Sequence, residues 1–327
     1  MLVLSHAEVR RLLDLDQLVD AVASAMVDLS EGRASMPQRV AATVQERRAL
    51  LAAMPAFLPS ARTLMTKLVS LFPENTDRPT HQAVISVFDP DNGSPLALLD
   101  GTYITAARTA AGSALATRLL ARRDSQVLTV IGTGVQAHAH AVALTRLREF
   151  DRLVVAGRDP AKTEQFAAEL SAELRRAVEA AARLDDAVRA ADIVCATTHS
   201  DRPVVLRPWL KPGTHVNSVG YNTRGEGEVD ADTVRDALVI VESRSAVLAP
   251  PPAGAVELHH AIERGQFAPE RIHAELGELV AGKARGRTDD SQLTLYKSVG
   301  VAVEDAAAVS LVLRAARSQG AGVDVRL

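Results

Sequence analysis

Apolar positions follow three successive regimes along the chain. Residues 6–13 and 15–31 carry them at three- and four-residue spacing, the period of a helix with one buried face. Ser5-His6-Ala7-Glu8 fits a capping box, in which the hydroxyl covers the amide three residues on and the carboxylate reaches back. From about residue 36 to 100 the period falls to two. Strands are predicted at Arg39–Val44, Leu50–Ala53, Leu64–Leu71, Ala83–Phe88 and Leu96–Leu99. Asp89-Pro90-Asp91-Asn92-Gly93 separates the last two, a turn that tolerates positive φ between apolar runs. This block predicts a mostly antiparallel sheet. A helix rich in Ala, Leu and Arg follows, from Ile104 to about Ala121.

At residue 126 strands and helices begin to alternate. The pattern predicts strands at 126–131, 152–156, 192–197, 214–219 and 237–241, a short one near Val178, and helices at 135–148, 160–175 and 185–190. Such alternation implies a parallel sheet covered by helices on both faces. A last helix, Val301 to about Ser318, lies beyond it. The expected class is α/β, with a Rossmann-type domain over 119–299. An α+β domain over 1–118 would be made discontinuous by the return of 300–327 to it.

The segment Val127-Leu128-Thr129-Val130-Ile131-Gly132-Thr133-Gly134-Val135-Gln136-Ala137 has the form G-x-G-x-x-A. It follows a buried-type strand and opens a helix, the context that a dinucleotide loop requires. Gly132 allows the tight turn, Gly134 lets backbone amides approach a pyrophosphate, and Ala137 lets the helix pack on the sheet. Thr133, Val135 and Gln136 complete the loop, and Thr197, Gly220 and Ser298 are further candidate cofactor contacts. The residue that reads the adenosine ribose falls about 20 residues on. Arg158 lies 158 − 134 = 24 residues after Gly134, and its guanidinium suits a 2′-phosphate, with Lys162 adding charge. This favours NADP. Asp159 as an acidic reader of the ribose 2′-hydroxyl would favour NAD instead.

Composition narrows the class. The chain has 327 residues, a net charge of −3 and 24% charged residues, with no basic or acidic tail. Nothing points to nucleic acid or a membrane surface. The one cysteine, Cys195, lies in the run Ile193-Val194-Cys195-Ala196 and reads as a buried strand residue. Nine histidines include His138, His140 and the pair His259-His260, but none has metal-ligand spacing, so no metal is expected. Early charges at His6, Glu8, Arg10 and Arg11 do not read as a signal peptide. A cytoplasmic enzyme is expected.

Several phrases, in order, resemble the ornithine cyclodeaminase/mu-crystallin family. They are Met54-Pro55-Ala56; Lys67 followed by Phe72-Pro73-Glu74-Asn75; Asp100-Gly101-Thr102 leading into Ile104-Thr105-Ala106-Ala107-Arg108-Thr109; the glycine loop; Ala191-Asp192-Ile193-Val194; and Thr294-Leu295-Tyr296-Lys297-Ser298-Val299-Gly300. The resemblance covers nearly the whole chain. It implies hydride transfer between nicotinamide and the α-carbon of an amino or imino acid. It also implies an N-terminal domain that binds substrate and joins a homodimer. By position it implies that Lys67 is the active-site lysine, that Arg108 grips the substrate carboxylate, and that Arg39 is a second carboxylate ligand. The residues themselves are compatible: arginine offers a planar fork to a carboxylate, and Lys67 interrupts an apolar strand pattern. Their plainer reading is a lysine on the solvated face of the sheet and a salt-bridged arginine.

One position departs from the family pattern. Cyclodeaminases and the family's alanine dehydrogenase carry an aspartate where this chain has Asn222, in Val219-Gly220-Tyr221-Asn222. Releasing ammonia or oxidising an amine needs proton transfer and water addition, which a carboxylate can serve and an amide cannot. Reducing a preformed imine needs less. The expected function is therefore NAD(P)H-dependent reduction of cyclic or N-substituted α-imino acids, with Lys67 and Asn222 at the reacting centre. The alternatives are ornithine cyclodeaminase, an amino-acid dehydrogenase, or a non-catalytic NADP- or small-ligand-binding protein of the crystallin type.

Overall fold

The computed structural model describes residues 1–221, 225–250 and 253–326, which form two compact units. One comprises Met1–Arg108 with Val301–Leu327, the other Thr109–Gly300. The division falls between Arg108 and Thr109, inside a helix rather than beyond its end.

In the first unit β1 (Leu2–Leu4) leads to α1 (His6–Leu12) and α2 (Leu15–Ser30). The capping box of Ser5 and Glu8 is present, and Asp14 caps α2 through the amides of Asp16 and Gln17. Then come β2 (Val40–Val44), β3 (Ala49–Leu58), β4 (Thr63–Leu71), β5 (His81–Phe88) and β6 (Pro95–Asp100). They form an antiparallel meander whose sheet β1 joins in parallel beside β6. Gly93 takes φ 75° in the β5–β6 turn, as the Asn-Gly signal requires. β3 runs five residues past Ala53, through Met54-Pro55-Ala56. Proline is rare in interior strands, and this extension was not legible from the period. Alternate residues of β3, β4 and β5 are buried, among them Met54, Ala56, Met65, Val69, Ile85 and Val87.

α3 (Thr102–Leu120) begins in the first unit and ends in the second. It is buried on nearly all sides, which explains why its sequence is alanine-rich rather than amphipathic. In the second unit β7 (Val127–Ile131), α4 (Val135–Leu147), β8 (Arg152–Ala156), α5 (Pro160–Leu174), β9 (Glu179–Ala180), α6 (Leu184–Ala190), β10 (Ile193–Ala196) and β11 (His215–Ser218) follow the predicted order. Then come α7 (Ala231–Asp236), β12 (Leu238–Val241), α8 (Arg244–Val247), α9 (Val256–Glu263), β13 (Ile272–Glu275), α10 (Leu276–Val280) and β14 (Thr294–Lys297). The sheet is wholly parallel in the order β13-β12-β14-β11-β10-β7-β8-β9. Strand order reverses between β7 and β10. Open α/β sheets bind ligands at such a switch, at the carboxyl ends of the strands.

α11 (Ala302–Gln319) belongs to the first unit, where it packs on α2, β3 and β4. β15 (Val323–Asp324) closes the chain against β1. Among the described residues no helix is long and apolar enough to cross a membrane.

Candidate functional site

The period of two along β4 puts Lys67 on the inner face with Met65 and Val69. Its register partners are Met54 on β3 and Ile85 on β5. The plainer reading of a solvated lysine is thus excluded: the side chain is 1% exposed in an apolar row. A lone ammonium there would lose its proton, so the structure must supply partners. Lys67 Nζ donates to Asp305 Oδ2 at 2.8 Å and to Thr105 Oγ1 at 3.4 Å. Arg108 Nε donates to Asp305 Oδ1 at 3.1 Å, and its Nη1 to Glu304 Oε2 at 2.7 Å. Thr105 and Arg108 lie one turn apart on α3, and Glu304 and Asp305 open α11. All four charged groups are buried.

Burial pushes Lys67 down to about 8, aided by repulsion from Arg108 and Arg39, while Asp305 opposes the fall. Burial also disfavours the Asp305 carboxylate, but Arg108 and then Lys67 outweigh it and hold the group below the usual range. An ammonium has three donors. The Thr105 hydroxyl donates to the Gly101 carbonyl and so accepts from Lys67. The third N–H of Lys67 has no partner among the described residues. Among the described residues the cluster thus leaves one buried lysine donor over.

The second unit holds the glycine loop, at the carboxyl end of β7. Gly132 has φ 122°, and a Cβ there would meet Thr197 Oγ1 at 2.8 Å. Thr197 follows β10, and its hydroxyl donates to the Ile131 carbonyl, so the protein itself requires glycine at 132. Gly134 differs. Its φ is −105°, and a Cβ would meet nothing within 4 Å. The fold does not require glycine at 134. A group approaching the start of α4 would, because the amides there have no side-chain cap. Val135 at the first helical position is 68% exposed, whereas Ala137 is buried against the sheet. Thr133 lies beside Gly157, and Gln136 carries a buried amide oxygen with no hydrogen-bond partner. These residues fit a dinucleotide pyrophosphate. After β8, Asp159 caps α5 through the Lys162 amide. The carboxylate has a structural task, while the exposed side chains of Arg158 and Lys162 flank it.

A second buried lysine lies further along this unit. Lys297 Nζ donates to Glu257 Oε1 at 2.9 Å, the Gly220 carbonyl at 3.1 Å and Ser218 Oγ at 3.3 Å. Glu228 accepts from the Gly220 amide at 2.7 Å, from both the amide and hydroxyl of Thr198, and from Ser218 Oγ. Burial pushes its carboxyl up. Gly220 is therefore locked in place, since a Cβ would meet the Thr198 carbonyl at 2.2 Å. The Ser298 hydroxyl donates to Glu242 at 2.7 Å, so the structure gives it an internal partner. Asn222 lies outside the described residues. Cys195 is buried and its thiol pushed up to about 12 by burial, as suits a strand residue. No group of three or more His, Cys, Asp or Glu among the described residues is arranged to hold a metal.

The profile of the ornithine cyclodeaminase/mu-crystallin family matches residues 1–320. The chain belongs to this family. It is 36% identical to the ketimine reductase mu-crystallin of Mus musculus over 300 residues, 90% of each chain. Among solved structures it resembles the Δ1-pyrroline-2-carboxylate reductase of Thermococcus litoralis in complex with NADH and L-proline. The TM-score is 0.95 and the identity 36%, over 99% of this chain and 100% of that one. It also resembles an archaeal alanine dehydrogenase dimer with bound NAD, at TM-score 0.91 and 30% identity over 100% and 99% of the two chains.

Family phrases drew attention to Lys67 and Arg108 but not to their partners. Glu304 and Asp305 were missed, although two adjacent acids inside Val301-Ala302-Val303-Glu304-Asp305-Ala306-Ala307-Ala308-Val309 interrupt an apolar run just as Lys67 does. That signal was available. What it could not show is that acids some two hundred residues away in sequence meet Lys67 and Arg108.

Proposed function

We propose that this protein is an NAD(P)H-dependent reductase of cyclic or N-substituted α-imino acids, of the ketimine or pyrroline-2-carboxylate type. The observation that carries the reading is the buried Lys67–Arg108 cluster, in which one lysine donor is left over among the described residues. A molecule with one carboxylate and one C=N nitrogen suits these cationic side chains and the spare donor. Arg108 and Arg39 hold the carboxylate, and Lys67 faces the nitrogen. Reducing C=N adds a hydride to carbon and a proton to nitrogen. The dinucleotide supplies the hydride when bound. Lys67, with its pKa near 8, is mostly charged at neutral pH and is matched to proton donation. Much of the rate enhancement comes from holding the acceptor carbon in line.

In the second unit Gly132, Thr133, Gly134, Val135, Gln136 and Ala137 cradle the pyrophosphate, with Thr197 behind Gly132 and with Gly220 and Ser298 as further cofactor contacts. Arg158 receives a 2′-phosphate, so NADPH is preferred to NADH. Asn222 contacts substrate or nicotinamide as a neutral hydrogen-bonding group and makes ornithine cyclodeamination the weaker reading. The protein works as a homodimer joined through its first unit. The outer face of that sheet supports this: Phe57, Leu64 and Phe88 form one cross-strand row, and Ala53, Leu68 and Val84 another. A cytoplasmic site of action accords with the chemistry.

The test is loss of NADPH or NADH absorbance with pyrroline-2-carboxylate and piperideine-2-carboxylate, and with ornithine plus NAD as the control. Turnover of a cyclic imine with preference for NADPH is expected. Proline and ammonia formed from ornithine, without net change in nucleotide, would replace this reading with cyclodeaminase. Sedimentation at several protein concentrations checks the dimer.

A further inference from the structure

We propose that Asp305 is the positioning residue of the Lys67–Arg108 cluster, its two carboxylate oxygens fixing the separation of lysine and arginine and keeping Lys67 an ammonium. The purpose of this device rests on the imine-reductase reading; its geometry does not. Oδ2 takes the lysine at 2.8 Å and Oδ1 the arginine at 3.1 Å, so one carboxylate bridges β4 and α3 from α11. The neighbouring residue, Glu304, accepts from Arg108 Nη1 instead. Both acids stand in the first turn of α11, where the exposed amide ends of the helix favour negative charge.

The groups around Lys67 act in opposite directions. Arg108 from α3 and Arg39 ahead of β2 drive it toward the neutral form, as does burial between Met54 of β3 and Ile85 of β5. Asp305 is the group that opposes them. The proton balance shows why this matters. The hydride pair enters the α-carbon, the C=N π pair takes a proton from Lys67 Nζ, and the neutral lysine is recharged from solvent. Reduction therefore falls as pH rises through the Lys67 pKa. Without the Asp305 charge that pKa drops, and the fall begins at lower pH.

The chain's only lysines are Lys67, Lys162, Lys211, Lys283 and Lys297, so lysine labelled with carbon-13 at Cε gives a short spectrum in which Lys67→Met assigns the resonance of interest. In Asp305→Asn the Lys67 midpoint is expected to fall by about one pH unit or more, and Asp305→Glu to restore most of it. The alkaline limb of kcat should move by the same amount, with affinity for NADPH changed less than about twofold, since the dinucleotide loop is untouched. An unmoved Lys67 midpoint in Asp305→Asn overturns the proposal. Should that variant not fold, Glu304→Gln decides. It leaves the Lys67 ion pair intact, so its midpoint stays within about half a unit of wild type, and a larger fall overturns the assignment to Asp305. If the wild type reduces no imino acid, the reductase reading falls, while the lysine titration still decides this inference.

Discussion

Lys67 in the first unit and Lys297 in the second are both inward-facing strand lysines, with side chains 1% and 2% exposed. Their surroundings differ in two respects. Lys297 has an acceptor for each of its three N–H groups, whereas among the described residues Lys67 has two partners and one donor left over. Around Lys297 two carboxylates face one cation, and the Glu228 carboxylate is surrounded by N–H and O–H donors. Around Lys67 the Arg108 and Arg39 cations repel the ammonium, and Asp305 opposes them. The first arrangement closes on itself and holds Gly220. The second leaves a buried lysine donor open among the described residues. Burial of charge does not by itself mark a site; hydrogen-bonding capacity that the fold leaves unmatched is the stronger sign.

Removing Arg108 should break the comparison most severely. Arg108→Leu takes away the carboxylate anchor and leaves Glu304 and Asp305 without it, and kcat/KM should fall by about a thousandfold, roughly 4 kcal/mol. A loss of less than tenfold in steady-state kinetics would remove Arg108 from the substrate site. Lys297→Met should act on stability instead. Stranding Glu257 costs about 3 kcal/mol in denaturant unfolding, while KM for the imino acid in the folded fraction moves little. If KM rises as steeply as in the Arg108 variant, the two clusters are not distinct in kind.

Arg158→Gln tests the dinucleotide half. It should weaken NADPH by about tenfold to thirtyfold and leave NADH nearly unchanged, a loss of about 1.5–2 kcal/mol from one charged contact. Equal effects on both nucleotides would make Arg158 a solvated turn residue. The smallest change separates the two glycines. Gly134→Ala should reduce nucleotide affinity by a few-fold, about 1 kcal/mol, without lowering the melting temperature, because its Cβ meets no protein atom. Gly132→Ala should lower the melting temperature itself, because φ 122° and the Thr197 hydroxyl both resist a side chain. Matching thermal behaviour in the two variants would refute that division.

Local pattern determined much of this protein. The period of two located the five meander strands, the strand–helix alternation located the parallel sheet, and Ser5–Glu8 and the Asn-Gly turn acted through neighbours a few residues away. The dinucleotide loop was legible for the same reason: its turn, its backbone amides and its helix start are contiguous, so one short phrase contains the device. β1, β13, β14 and β15 were not read as strands, because two to four residues carry too little pattern to show a period. The sequence marked Lys67 as an oddity in an apolar strand but could not tell a solvated lysine from a buried one. That depends on which face of the sheet α11 covers, and α11 lies more than two hundred residues further along the chain. Only the tertiary structure brought Asp305 and Glu304 to Lys67 and Arg108, because the energy of a buried charge is set by partners distant in sequence and close in space.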